Sequence, residues 1–153
     1  MPDSSSSTAA VDPFDLGRFL DAQQGVHEQA LAELQAGRKR SHWMWFVFPQ
    51  IAGLGISPTA TYYAIRSRAE AQAYVAHPVL GPRLLACAQA LLQLQGRSAE
   101  QIFGYPDVLK LKSSMTLFAA LPDADPVFAA VLGHYYGGSR DDRTLNLLAQ
   151  ADD

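Results

Sequence analysis

One stretch decides the fold of this chain: Arg38-Lys39-Arg40-Ser41-His42-Trp43-Met44-Trp45-Phe46-Val47-Phe48-Pro49-Gln50, with Gly53-Leu54-Gly55-Ile56-Ser57-Pro58 close behind it. It holds both tryptophans of the protein and two of its seven phenylalanines. The part from His42 to Phe48 is too apolar to be exposed and too short for a typical helix. Because Pro49 ends it and its surroundings have helical patterns, we predict a short helix or an extended core segment, not a strand of a sheet.

The length and composition are those of one globular domain. The chain has 153 residues, of which 48% are hydrophobic and 18% charged, enough to enclose a sizeable core. The first residues are small and polar, so we predict a disordered tail over residues 1–12 and a single helical domain over residues 13–150. The net charge of −3 argues against general nucleic-acid binding, because such proteins usually carry a basic excess.

The start of the chain, its apolar runs and its cysteine content bear on location. The N-terminus lacks the charged and then apolar pattern of a signal peptide, and no apolar run approaches the roughly 18 residues of a membrane span. The single cysteine, Cys87, lies in an apolar helical pattern and has no partner for an intrachain disulfide. We therefore predict a cytoplasmic protein without membrane association, and the oligomeric state stays open.

Apolar residues recur at helical spacing through the rest of the chain, which predicts an all-α, multihelical fold. The longest helix, from His77 to about Gln95, is apolar nearly all round, so we predict that it is the one buried central helix. Ser57-Pro58 and Asp125-Pro126 are typical helix starts, with a capping residue before proline. Ser67 and Ser98 stand three residues before Glu70 and Gln101, the spacing of a capping box.

A group of polar residues has no evident use in a helical core and forms our candidate site: His42, Gln50, Arg83, Asp107, Lys110, Ser113 and Ser114. An aromatic wall combined with Arg, Lys and Ser donors suits a nucleotide or a sugar phosphate. The wall would come from Trp43, Trp45 and Tyr63. We assign charge neutralisation to Arg83 and Lys110, orientation of the ligand to Gln50, Ser113 and Ser114, and acid–base chemistry to His42 or Asp107.

Each of these features also has a structural interpretation, and both interpretations stay open. The tryptophans could be core residues, and the cluster Arg38–Arg40 could be a solvated helix end or an anion-binding arm. Glu70 could be a capping residue or a catalytic carboxylate. Lys110 and Ser113 have the residue types of a Ser/Lys dyad in reverse order, but such pairs are common on helix surfaces.

We predict neither a metal site nor a cofactor. The four histidines are scattered, and the chain has no His-x-x-x-His and no cysteine pair, so a structural zinc site is not expected. Gly53-Leu54-Gly55 lacks the third glycine of a dinucleotide fingerprint and stands outside a strand–turn–helix context, so it is better explained as a flexible turn than as a phosphate loop.

Two functions of different classes follow. The first is a domain that binds a small polar or anionic ligand beside the aromatic stretch, residues His42 to Phe48, and that could also hydrolyse a nucleotide-type substrate. The second is a non-catalytic module whose exposed face meets a protein partner. Convergence of the polar residues on one concave site would favour the first function, and their dispersal as caps and surface residues would favour the second.

Several motifs resemble the uncharacterised bacterial family called domain of unknown function 1810, over nearly all of the chain from Phe14 to Leu148. The resemblance implies a multihelical single domain with one buried central helix, and it implies no activity. Members are sometimes labelled calpastatin, a long disordered inhibitor of repeated segments, which the compact pattern of this chain contradicts. The motifs are His42 to Gln50, Tyr63-Ala64-Ile65, Glu70-Ala71, His77 to Leu84, Ile102-Phe103-Gly104 and Asp107 to Phe118.

Overall fold

The computed structural model describes residues 11–152 of the chain. Within this range the protein has ten helices and no strand. This confirms the prediction of an all-α, multihelical protein. The tail predicted over residues 1–12 lies outside the described residues except for Val11 and Asp12. The helices are α1 Gly17–Gln23, α2 His27–Gln35, α3 Met44–Val47, α4 Pro58–Tyr63, α5 Arg68–Ala76, α6 Leu80–Gln93, α7 Ala99–Phe103, α8 Asp107–Ala119, α9 Pro126–Tyr136 and α10 Asp142–Ala151.

The core is organised around two helices. Helix α6 packs against α2, α5 and α9, whereas α8 packs against α7, α9 and α10. The second half of α8 is buried nearly all round, although it contains the polar residues Ser113, Ser114 and Thr116. A single buried central helix is therefore not confirmed, because α8 is enclosed by its neighbours as fully as the more apolar α6 is.

The aromatic stretch forms one short helix, as predicted. Trp43, Met44, Val47 and Phe48 are buried, while Trp45 is half-buried. The chain then runs extended through residues 49–51 and meets residue 65 in an isolated bridge, with hydrogen bonds of 2.8 Å on both sides of it. A proline after one helical turn prevents the helix from continuing, so the stretch ends as an extended core segment.

Glu33 of α2 holds the loop that leads into the aromatic stretch. Its carboxylate accepts hydrogen bonds from the backbone of Arg40 at 2.8 Å, from the Ser41 hydroxyl at 2.6 Å and from Trp43 Nε1 at 2.9 Å. Burial acts to raise the pKa of Glu33, but these hydrogen bonds outweigh it and lower the pKa to about 2. Trp43 is thereby a core residue with its one polar atom satisfied.

Arg18 and Glu70 form a buried ion pair that joins the first helix to α5. Arg18 Nη2 lies 2.6 Å from Glu70 Oε2, and the other guanidinium donors are used by four backbone carbonyls. Glu70 also accepts a bond of 3.0 Å from the backbone of Arg66. Ser67 caps α5 as predicted, but Glu70 does not reach back to it, because the buried guanidinium holds its carboxylate.

The other predicted helix starts agree with the structure. Ser57 caps α4, Asp125 caps α9, and Ser98 with Gln101 forms a complete capping box on α7. Within residues 11–152, no single helix combines the length and apolarity needed to cross a membrane. Helices α5 and α6 pass that test only when taken together, and they are bent by 86° from each other.

Candidate ligand-binding site

Two clefts lie side by side where the aromatic stretch meets α8. The first, the cationic cleft, has a volume of about 330 Å³ and is formed chiefly by Trp45, Gln50, Lys110, Lys112, Ser113 and Arg143. The second, the His42 cleft, has a volume of about 340 Å³ and is formed chiefly by His42, Trp45, Phe46, Thr59, Asp107 and Lys110. Trp45 and Lys110 line both clefts and thus make a common wall.

The common wall is held by a cation–π contact and a chain of ion pairs. Lys110 Nζ lies 4.3 Å from the centroid of the Trp45 ring and 3.1 Å from Asp107 Oδ1. The other oxygen of Asp107 lies 2.8 Å from Lys39 Nζ, which in turn lies 5.0 Å from the Trp43 ring. Lys39 is therefore part of the wall, while its neighbours Arg38 and Arg40 are exposed.

Asp107 is an ionised carboxylate with both oxygens engaged. Burial acts to raise its pKa, but the hydrogen bonds and charges of Lys39 and Lys110 outweigh burial and lower the pKa below its ordinary value. A carboxylate of this kind is a weak base and carries no proton to donate near neutral pH. Its contact with Lys110 makes it an organiser of the wall.

The glycine turn after the aromatic stretch supports the wall from behind. A Cβ on Gly55 would lie 2.7 Å from the Ala60 Cβ and 3.1 Å from the Trp45 ring, and one on Gly53 would lie 3.0 Å from Leu147. The glycines are thus explained by close packing against neighbouring side chains. Nothing in this arrangement calls for a phosphate loop.

A hydrogen-bonded network fixes the far side of the cationic cleft. The Asp141 carboxylate accepts a bond of 2.8 Å from Ser113 Oγ and a further one from Thr144 Oγ1, and its backbone N–H donates to Thr116 at 3.0 Å. The network ties the start of α10 to α8. It also places Arg143 at the cleft, where one nitrogen lies 3.2 Å from the Gly53 carbonyl.

Gln50 contributes an unsatisfied polar group. The residue is 5% exposed and lines the cationic cleft, and its amide nitrogen has no hydrogen-bond partner among the residues that the structure describes. Buried polar groups without partners are rare, and they concentrate at functional sites.

The structure gathers seven of the ten predicted site residues around the wall. The cationic cleft receives Trp45, Gln50, Lys110 and Ser113, and the His42 cleft receives His42, Trp43 and Asp107 together with the shared Trp45 and Lys110. Tyr63 is near them, because it lines a small space behind Trp45 and Gln50.

Arg83 and Ser114 line neither cleft. Arg83 projects from α6 toward α1, where Nη1 lies 3.3 Å from Gln23 Oε1. Ser114 is wholly buried, and its hydroxyl has no partner in the described part of the chain. Helix periodicity placed Ser114 beside Lys110 on one face, but that face of α8 is covered by the core further along the helix.

Lys110 and Ser113 are not arranged as a dyad. Lys110 Nζ lies 3.1 Å from Asp107 Oδ1, whereas Ser113 Oγ donates to Asp141 at 2.8 Å and lies 3.2 Å from the Leu109 carbonyl. A Ser/Lys nucleophile needs the opposite arrangement, in which a neutral amine accepts the hydroxyl proton.

Three charged residues of the cationic cleft are outside the predicted set: Lys112, Asp141 and Arg143. Lys112 stands in the same run as Lys110 and Ser113, and that position was an available signal. Asp141 directly precedes the last helix and Arg143 lies in its first turn, so their approach to α8 depends on tertiary packing alone. In residues 11–152, no group of three or more His, Cys, Asp or Glu is placed to hold a metal ion.

Comparison with known proteins places the chain in a family. The sequence profile of the family described as protein of unknown function (DUF1810) matches residues 13–148. The chain belongs to the DUF1810 family. This confirms the resemblance seen in the sequence motifs.

A solved structure supports the fold of this DUF1810 chain. The crystal structure of the conserved hypothetical protein Rv1873 from Mycobacterium tuberculosis is similar to it, with a TM-score of 0.88 and 60% sequence identity. The match covers 90% of this chain and 99% of the other. No curated protein matches the chain.

Proposed function

We propose that this protein binds a small anionic ligand, of the nucleotide or sugar-phosphate type, in the cationic cleft. The observation that carries the proposal is the convergence of Lys110, Lys112 and Arg143 around the unpartnered amide of Gln50. Cationic and amide donors around an aromatic wall are the groups that recognise phosphates attached to a larger molecule.

Two of the three cations are free to bind an anion. Lys112 and Arg143 form no ion pair with any residue in the described part of the chain, whereas Lys110 is paired with Asp107. The one carboxylate in the cleft, that of Asp141, accepts hydrogen bonds from Ser113 and Thr144. The cleft is thus locally positive in a chain whose net charge is −3.

The arrangement supports binding better than hydrolysis. Asp107 is held ionised between two ammonium groups, and Asp141 is engaged by two hydroxyls. Neither carboxylate is placed to activate a water molecule as a free general base. We therefore propose a binding role, with hydrolysis as the weaker alternative.

A thermal-shift titration of the full chain tests the proposal. The probes are inorganic pyrophosphate, nucleoside diphosphates and sugar phosphates. A ligand at 100 times its Kd adds roughly 2.7 kcal/mol to the free energy of unfolding. For a chain of this size that corresponds to a rise in Tm of roughly 5–10 °C.

Charge-matched variants make the titration specific. In Lys112→Met/Arg143→Met the shift should disappear, because both free cations of the cleft are lost. In Arg38→Met/Arg66→Met it should persist, because these two exposed arginines line neither cleft. If no probe shifts the Tm of the wild type, the proposal is refuted, and the alternative function, a module that binds a protein partner, is favoured instead.

A further inference from the structure

We infer that the ligand has two parts, an anionic group held in the cationic cleft and an uncharged flat ring held in the His42 cleft. This inference rests on the proposed function and names the class of ligand more closely, as a nucleoside diphosphate or a compound of the same build. It follows from the sizes of the two clefts, from their different chemistry and from the wall that they share.

The sizes of the clefts favour a ligand that occupies both. Volumes of about 330 and 340 Å³ lie at the small end of the range of roughly 300–1,000 Å³ found for ligand pockets. Each cleft has room for a phosphate group or for a single ring system. Because Trp45 and Lys110 line both, a molecule that passes across this wall fills the two clefts together.

The chemistry of the His42 cleft differs from that of its neighbour. Both of its lysines are ion-paired, since Lys39 and Lys110 each bind one oxygen of the Asp107 carboxylate. Lys112 and Arg143 of the cationic cleft, by contrast, form no ion pair in the described part of the chain. Apart from Met44, the remaining lining of the His42 cleft is aromatic or hydroxylic, with Phe46, Ser57 and Thr59 in addition to the shared tryptophan. Such a lining suits an uncharged ring that stacks on aromatic side chains and offers hydrogen-bonding edges.

Donors and acceptors for the ring edge are present. The Ser57 hydroxyl oxygen accepts the backbone N–H of Ala60 at 3.1 Å, so its own hydrogen is left to donate. His42 and Thr59 are exposed at the cleft, and an imidazole can donate a hydrogen bond or accept one. Because Lys110 lines both clefts, both parts of the ligand can contact it.

Isothermal titration calorimetry of the full chain tests the inference. The probes are inorganic pyrophosphate and the four common ribonucleoside diphosphates. At least one of the diphosphates should bind roughly tenfold tighter than pyrophosphate, the factor that a stacked ring and its edge hydrogen bonds supply. Pyrophosphate should compete with it, because both use the cationic cleft.

Two threonines on one helix provide the variant and its control. Thr59→Trp fills the His42 cleft, so it should weaken the nucleoside diphosphate about tenfold to the level of pyrophosphate and leave pyrophosphate itself unchanged. Thr61→Trp adds the same side chain at an exposed position that lines neither cleft, so both affinities should stay at the wild-type level.

The possible failures are separable. Pyrophosphate binding without any gain from a nucleoside would overturn the two-part ligand and leave the proposed function standing. Tight nucleoside diphosphate binding that Thr59→Trp does not weaken would overturn the assignment of the ring to the His42 cleft. Absence of binding by all five probes would overturn the inference and count against the proposed function as well.

Discussion

At the residue scale, Gln50 is expected to destabilise the free protein and to contribute to ligand binding. Its buried amide nitrogen lacks a partner in the described part of the chain, and an unsatisfied group of this kind costs roughly 1–3 kcal/mol. A ligand oxygen in the cationic cleft would supply the missing hydrogen bond. Stability and binding should therefore respond to this side chain in opposite directions.

Gln50→Met tests that opposition. We expect the free energy of unfolding to rise by about 1 kcal/mol, because the thioether keeps the length of the side chain without the unpaired amide. Affinity for the best anionic probe should fall roughly tenfold. Urea denaturation and calorimetry measure the two effects. Gln89→Met, on the exposed side of α6, should change neither, and a destabilised Gln50→Met would contradict this account.

Glu33 makes the free energy of unfolding depend on pH in the acid range. Its pKa is lowered from 4.5 to about 2, so the folded state favours the charged carboxylate more than the unfolded chain does. The resulting stabilisation is complete above the ordinary pKa and is lost as the pH falls toward 2. The fold should thus weaken in acid through the loop that carries Trp43.

Glu33→Gln should cost about 2 kcal/mol at pH 7, because the donors to the carboxylate, among them Arg40, Ser41 and Trp43, lose a charged acceptor. The difference between wild type and variant should shrink steadily between pH 4.5 and pH 2 as the wild-type carboxylate is protonated. Denaturant titrations across this range measure it. A difference that does not change with pH would show that the charge of Glu33 contributes nothing.

At the element scale, the right-angled joint between α5 and α6 depends on a glycine. The two helices are bent by 86°, and a Cβ on Gly81 would lie 2.1 Å from the Val75 carbonyl oxygen. The neighbour is backbone, so it has little freedom to move aside. Only a residue without a side chain lets α6 begin this close to the end of α5.

Gly81→Ala should destabilise the protein by about 3 kcal/mol or more, the upper range for overpacking. Gly133→Ala is the matched control, because Gly133 lies inside α9 and a Cβ there meets nothing within 4 Å. That change should stabilise by roughly 0.5–1 kcal/mol through helix propensity. Thermal unfolding of both variants gives the comparison, and two changes of the same sign would contradict the structure.

The elements themselves follow largely from the sequence. Local chemistry decides where Ser57, Ser67, Ser98 and Asp125 start helices, and the cap bonds agree in each case. Local patterns do not reveal which helix lies deepest. The apolar repeat singles out α6, yet α8 is enclosed as fully. Its Ser113 and Thr116 bond to Asp141, and its Ser114 is buried without a partner in the described part of the chain.

At the scale of the whole molecule, Arg18 joins segments far apart in the chain. Arg18 is only 4% exposed. Its guanidinium binds the Glu70 carboxylate and four backbone carbonyls, those of Phe14, Asp15, Tyr62 and Ala64. Removing one member of such a buried pair leaves the other charge without compensation, which is more costly than losing the pair as a whole.

Arg18→Met should therefore lower the free energy of unfolding by about 3–5 kcal/mol, while Arg18→Met/Glu70→Gln should recover part of that loss. The control is Arg68→Met, which breaks the more exposed pair with Asp152 at 2.9 Å and should cost about 1 kcal/mol or less. Urea denaturation of the three variants measures these values. Equal losses in Arg18→Met and Arg68→Met would show that burial does not govern the pair.

The site is less predictable from the sequence than the elements are. Lys110, Ser113 and Asp107 share one helix, so their proximity follows from helical spacing. Residue type alone places Arg83 in the same group, but its side chain lies at a different surface, beside Gln23. Arg143 and Asp141 reach the cleft only because α10 packs on α8, a contact between distant parts of the chain.

The two indoles of the protein have unlike surroundings, and this gives the chain two separate optical signals. Trp43 is 1% exposed and bonded to Glu33, so its emission should resist a diffusible quencher such as acrylamide until the loop unfolds. Trp45 borders both clefts, so acrylamide should quench its emission in the empty protein. A bound ligand would then protect the accessible fraction, and fluorescence from the natural sequence would report occupancy without any added label.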